Sequence, residues 1–163
     1  MIAQARIDDL ERSQPQALGL ARLDSPAVMI EPQLLRRLRL RLLPTADVGV
    51  EADLWFSGVV DSRGVDSIVL DREVASLLRS ELRREPALLA RVLAEIEEAH
   101  GHLRQTLRLE ERLIRVALQG AGASEVERSL QPALRTLYTG GAQARSLAHW
   151  ALRALPEDRK SVV

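Results

Sequence analysis

The sequence predicts an all-α fold, a compact bundle of about five or six helices closed over an irregular loop that carries Trp55 and Phe56. Three observations predict it. From residue 71 onward apolar side chains recur at the spacing of a helix face. Glycine and proline fall mostly between those runs, where helices stop and start. The most leucine-rich stretch, QLLRRLRLRLL at residues 33–43, has no β-branched residue and is built from good helix formers.

Residues 1–24 carry only scattered apolar positions, with Pro15 breaking them and Pro26 following, and are expected to be a loosely ordered lead-in. The helical domain is expected to span 25–157. In 33–43, Leu34, Leu35, Leu38 and Leu42 make a helical stripe, whereas Leu38, Leu40 and Leu42 alternate with Arg37, Arg39 and Arg41 as in a strand. Helix is favoured, because leucine and arginine suit helices and strand-formers are absent. Pro44 ends it, and Asp47, Gly49, Glu51 and Asp53 then form a short acidic loop ahead of Trp55-Phe56.

Beyond residue 70 the elements are clearer. Asp71 is placed to cap a helix with Val74, Leu77, Leu78 and Leu82 on one face. Pro86 suits the first position of the next, where its missing N–H has no helical acceptor to lose, and Leu89, Val92, Leu93 and Ile96 are its stripe up to Gly101. A third helix carries Leu109, Leu113, Val116 and Ala117 and stops at Gly120-Ala121-Gly122. Ser124 with Glu127 reads as a capping box opening a fourth, with Val126, Leu130, Ala133, Leu134 and Leu137 along it and Pro132 expected to kink or split it. After Gly140-Gly141 a last helix would hold Leu147, Trp150, Ala151 and Ala154, ended by Pro156. The terminal residues 158–163, DRKSVV, are what GATCGGAAGAGCGTCGTG encodes, a sequence like a common sequencing adapter. They are therefore expected to be a non-native tail on a natural chain that continues past Glu157.

Composition narrows function by exclusion. Lys plus Arg equals Asp plus Glu at 23 each, so no global field draws the chain to nucleic acid or an anionic surface. The absence of cysteine removes disulfides, thiolate metal sites and cysteine nucleophiles, and fits a cytoplasmic protein. No apolar run approaches the length of a membrane span, and the opening MIAQARIDDLER carries acids and lacks the apolar core expected of a secretory signal.

Motifs for chemistry are equally sparse. In EEAHGH, Glu98 and His102 stand at i, i+4, as two helical metal ligands would, but Gly101 interrupts the helix and a second imidazole at that spacing is missing. There is no nucleophile elbow, no Walker loop and no dinucleotide fingerprint, so no catalytic, cofactor-binding or metal residue is assigned. Two groups stand out as interaction candidates. Asp47, Glu51, Asp53, Trp55 and Phe56 would form a docking surface for a protein, unless the rings are instead a plug that fills the bundle. Arg36, Arg37, Arg39 and Arg41 would contact phosphates if the chain bound nucleic acid, although solvated helix faces and salt bridges use arginines in the same way.

The run LLRRLRLRLLPTADVGVEADLWFSGVVDSRGVDSIVL, residues 34–70, resembles the amino-terminal helical region of some large bacterial multidomain proteins. These are the MoxR–vWA–β-propeller ternary conflict systems and proteins with formylglycine-generating-enzyme-like or NTPase modules. The matching segments are the Leu/Arg helix at 34–43, PTADVG at 44–49, ADLWFS at 52–57 and SIVL at 67–70. The resemblance implies a non-catalytic adaptor or regulatory module of a defence or signalling protein, its partner being another protein or a neighbouring domain of the same chain. The alternatives are a nucleic-acid-binding helical domain, or the amino-terminal part of an enzyme whose active site lies beyond residue 157.

Overall fold

The computed structural model describes residues 2–120 and 122–142, together with Arg145 and Ala148. They belong to two units, residues 1–101 and 102–163. The expected last helix around Leu147 and Trp150, and the 158–163 tail, lie outside the described residues.

The first unit begins with two helices where a loose lead-in was expected. In α1 (Ile2–Ser13) the buried residues Ala3, Ile7 and Leu10 follow at i, i+4 and i+7, enough for a one-sided helix although too sparse to stand out in the sequence. In α2 (Pro15–Asp24) Pro15 occupies the first turn rather than breaking anything, and Ala17, Leu20, Ala21 and Leu23 are buried. The two helices pack on each other, and both pack on α5 (Arg72–Leu82). They are core elements. Arg6 of α1 ties this packing down by bonding Asp71, the cap of α5, at 3.0 Å.

The predicted helix at 33–43 is α3 (Pro32–Leu42), with Leu34, Leu35 and Leu38 buried. Leu40, which a strand reading would have put beside them, is exposed. The Trp/Phe segment departs from expectation. It is not an irregular loop but a short helix, α4 (Gly49–Trp55), begun where the Asp47 carboxylate accepts from the Gly49 amide at 2.7 Å. Residues 60–70 form a hairpin absent from the all-α reading: β1 (Val60–Arg63) and β2 (Ile68–Leu70) are antiparallel, with Val60 opposite Leu70 and Arg63 opposite Ile68. Asp61 is the extra residue of a bulge between Val60 and Ser62. The alternation of buried Ile68 and Leu70 with exposed Val69 is the period-2 signal, too short at three residues to be decisive in the sequence. Ile30 exchanges two backbone bonds with Ile68 at 2.8 and 2.9 Å, which fastens the hairpin to the segment between α2 and α3.

The later helices follow the sequence more closely. Asp71 accepts from the amides of Glu73 and Val74 at 3.0 and 3.1 Å, so Asp71→Ala should cost about 0.5–2 kcal/mol in denaturant unfolding through loss of this cap. Leu77, assigned to the buried stripe of α5, is partly exposed and Ala75 takes its place. The next helix, α6 (Pro86–Ala99), buries Leu89, Val92, Leu93 and Ile96 as expected and passes into a 3-10 turn at His100–His102. The first unit therefore has six α-helices of its own.

The second unit holds α7 (Gln105–Leu118) and α8 (Ala123–Thr139), packed on each other. Gly120 at φ 71° ends α7 in a conformation that costs glycine little. Among the described residues the chain is thus mostly helical, as the sequence predicts, with eight α-helices and a small hairpin where about five or six helices were expected, divided into two units near residue 101. The capping box at Ser124 is not formed, since α8 starts two residues earlier, with Gly122 as its N-cap and no side-chain bond there. Nor does Pro132 split α8, which continues through it.

Candidate functional site

The four arginines of α3 take different directions, as helical geometry requires. Arg37 and Arg41, one turn apart, face α6. Arg37 donates to Glu95 and to Glu98, while Nη1 of Arg41 donates to both Glu95 oxygens at 2.9 and 3.2 Å. Burial opposes ionisation of Glu95, but the hydrogen bonds from Arg37 and Arg41 outweigh it and hold its carboxyl below the usual range. The bonds to Glu98 and Glu95 correspondingly raise the Arg37 guanidinium. Arg39, about 200° round the helix from Arg37, faces α4. Its Nε donates to Glu51 at 2.7 Å and its Nη1 to the Ala46 carbonyl at 3.3 Å. Only Arg36 is exposed without an ion-pair partner among the described residues.

Beside the Arg39–Glu51 pair lies a group that the sequence did not single out. Asp24, the last residue of α2, is wholly buried, and neither of its carboxylate oxygens has a hydrogen-bond partner. Desolvation first, and the Glu51 carboxylate second, push its pKa well above the ordinary carboxylate value. Where α2, α3 and α4 meet, the protein therefore holds one guanidinium and two carboxyls, one of which is favoured as the neutral acid. A strongly perturbed, buried acid is a recognised marker of functional sites. The sequence hint is an aspartate closing the apolar run ALGLARLD, which singles out nothing as long as that run is expected to be unpacked.

The acidic and aromatic candidates are parted by the pitch of α4. Val50 and Leu54 lie on its inner face and are buried, with Leu54 at 0% exposure, and Glu51 beside them makes the ion pair with Arg39. Asp53 and Trp55 are half-buried, while Asp47 is exposed. Phe56 is 74% exposed. The residue that plugs the fold is thus Leu54, and the two rings divide between margin and surface.

Phe56 sits on a firm mount. Its own amide bonds to the Ala52 carbonyl at 3.0 Å. On either side of it the carbonyls of Trp55 and Ser57 accept from Nε and Nη2 of Arg63 at 2.7 and 2.8 Å, and the Ser57 hydroxyl donates to the Leu54 carbonyl at 2.8 Å. Arg63 on β1 thereby satisfies the end of α4, where helix carbonyls otherwise lack donors. Val65, at the hairpin tip, is also fully exposed.

Glu98 and His102, the spacing considered for metal binding, are separated by the turn at His100–His102, and Glu98 is held by Arg37. Among the described residues no three His, Asp or Glu side chains come together as a metal site. No helix among them is long and apolar enough to cross a membrane. No protein-family model, curated protein or solved structure matches the chain.

Proposed function

We propose that this chain is a non-catalytic protein-interaction or regulatory module, and that it docks its partner through Phe56. The observation that carries the reading is an aromatic ring left three-quarters in water while its backbone is fixed on both sides by Arg63. A rigidly mounted, exposed aromatic loses little conformational freedom on binding and brings a large apolar area, which is how interface anchors work. The resemblance of residues 34–70 to adaptor regions supports placing the module in a bacterial defence or signalling protein. The nucleic-acid alternative is less favoured, because Arg37, Arg39 and Arg41 are already committed to glutamates.

Two substitutions two residues apart test this. Phe56→Ala should leave unfolding free energy within about 0.5 kcal/mol of the parent, whereas Leu54→Ala should cost about 2–5 kcal/mol. A photo-crosslinking residue at position 56 should capture a defined protein in cells, and that protein, once purified, should bind the parent chain and lose binding to Phe56→Ala. Equal destabilisation by both substitutions, or a purified partner indifferent to Phe56→Ala, would overturn the reading.

A further inference from the structure

The second unit contains a cavity that the docking surface does not involve. It lies between α7 and α8, with a volume of about 320 Å³, at the small end of the range for pockets that hold small molecules. Leu103, Leu109, Pro132 and Ala133 give it an apolar lining, and Arg108 and Arg112 stand at its wall. These two arginines are at i, i+4, so their guanidinium groups share one face of α7 and repel each other. Arg108 is half-buried, which makes that repulsion harder for water to screen. Neither has an ion-pair partner among the described residues, although Glu110 and Glu111 are on the same helix. Those acids do not line the cavity. The contrast with α3 is informative, since three of its four arginines are neutralised by glutamates.

We propose that this cavity binds a small organic anion, with a carboxylate or phosphate head held by Arg108 and Arg112 and an apolar body resting on Leu109, Pro132 and Ala133. Guanidinium forks match the paired oxygens of either head group, and binding would relieve the repulsion between the two arginines. The apolar lining adds a requirement that a bare ion does not meet, because only a ligand with hydrocarbon can displace water from it with gain. The specificity expected is therefore joint, for charge at one end and apolar surface at the other.

Calorimetric titration of the full chain with octanoate, octyl phosphate and octanol tests the inference. At least one of the two anions is expected to bind at up to millimolar concentration, with octanol weaker by at least about tenfold. Arg108→Gln and Arg112→Gln should each weaken the anion by about fivefold or more, and Arg36→Gln, at an exposed cation of the first unit, should change nothing. Arg112 is exposed, so Arg112→Gln should keep the parent's circular dichroism even if Arg108→Gln does not. Binding of neither anion, octanol as tight as octanoate, or undiminished binding by a folded Arg112→Gln variant would each overturn the proposal.

Discussion

Asp24→Asn is expected to stabilise the protein at neutral pH, because an amide of the same shape has no charged form for burial to exclude. The reason is the position of Asp24 at the joint of α2, α3 and α4, wholly buried with both oxygens unbonded and Glu51 nearby. The sign follows from linkage. Its folded-state pKa is raised, so its contribution is most favourable below the unfolded-state value and is lost as the pH climbs towards the folded one. Through that interval the folded protein binds more protons than the unfolded chain, and stability falls by up to about 1.4 kcal/mol per pH unit. Urea unfolding followed across pH should show this decline in the parent and a flatter profile in Asp24→Asn, the two converging in acid. Parallel profiles would mean that Asp24 finds a partner in solution. Retaining such an acid costs stability, and a stability cost at a defined place is what a functional residue often shows.

Whether a segment was legible in the sequence depended on how much of its signal was local. Asp71, Pro86 and the stripe Leu89, Val92, Leu93, Ile96 were readable because capping and 3.6-residue periodicity are properties of a few neighbouring residues. The helix at 33–43 was readable for the same reason, propensity deciding where the alternation was ambiguous. Residues 1–24 give little local signal because α1 and α2 are held by long-range packing on each other and on α5, not by strong local patterning. The hairpin escaped for a related reason. With Asp61 bulged out and β2 only three residues long, alternation has no length in which to show, and the pairing of Ile68 with Ile30 spans almost forty positions. Of the candidate site, the residue types around Trp55 were visible but their directions were not. That Glu51 turns inward to Arg39 while Phe56 turns outward depends on α4 being a helix, and the acidic residues before it had suggested a loop.

Arg39→Met should be among the most damaging single changes at a charged position, with a loss of about 3–5 kcal/mol at neutral pH. Arg39 and Glu51 have side-chain exposures of 12% and 14%, so removing the cation strands a nearly buried carboxylate next to Asp24. It also deprives the Ala46 carbonyl of the Arg39 donor. Arg41 offers a contrast on the same helix. Its side chain is 55% exposed and water can take over when it is truncated, so Arg41→Ala should cost no more than about 1 kcal/mol despite two bonds to Glu95. Adding Glu51→Gln to Arg39→Met should recover part of the loss, because the penalty lies in the uncompensated charge more than in the missing attraction. If denaturant midpoints instead put Arg39→Met level with Arg41→Ala, the α3–α4 pair would be a surface contact in energetic terms. The junction with Asp24 would then lose its electrostatic basis.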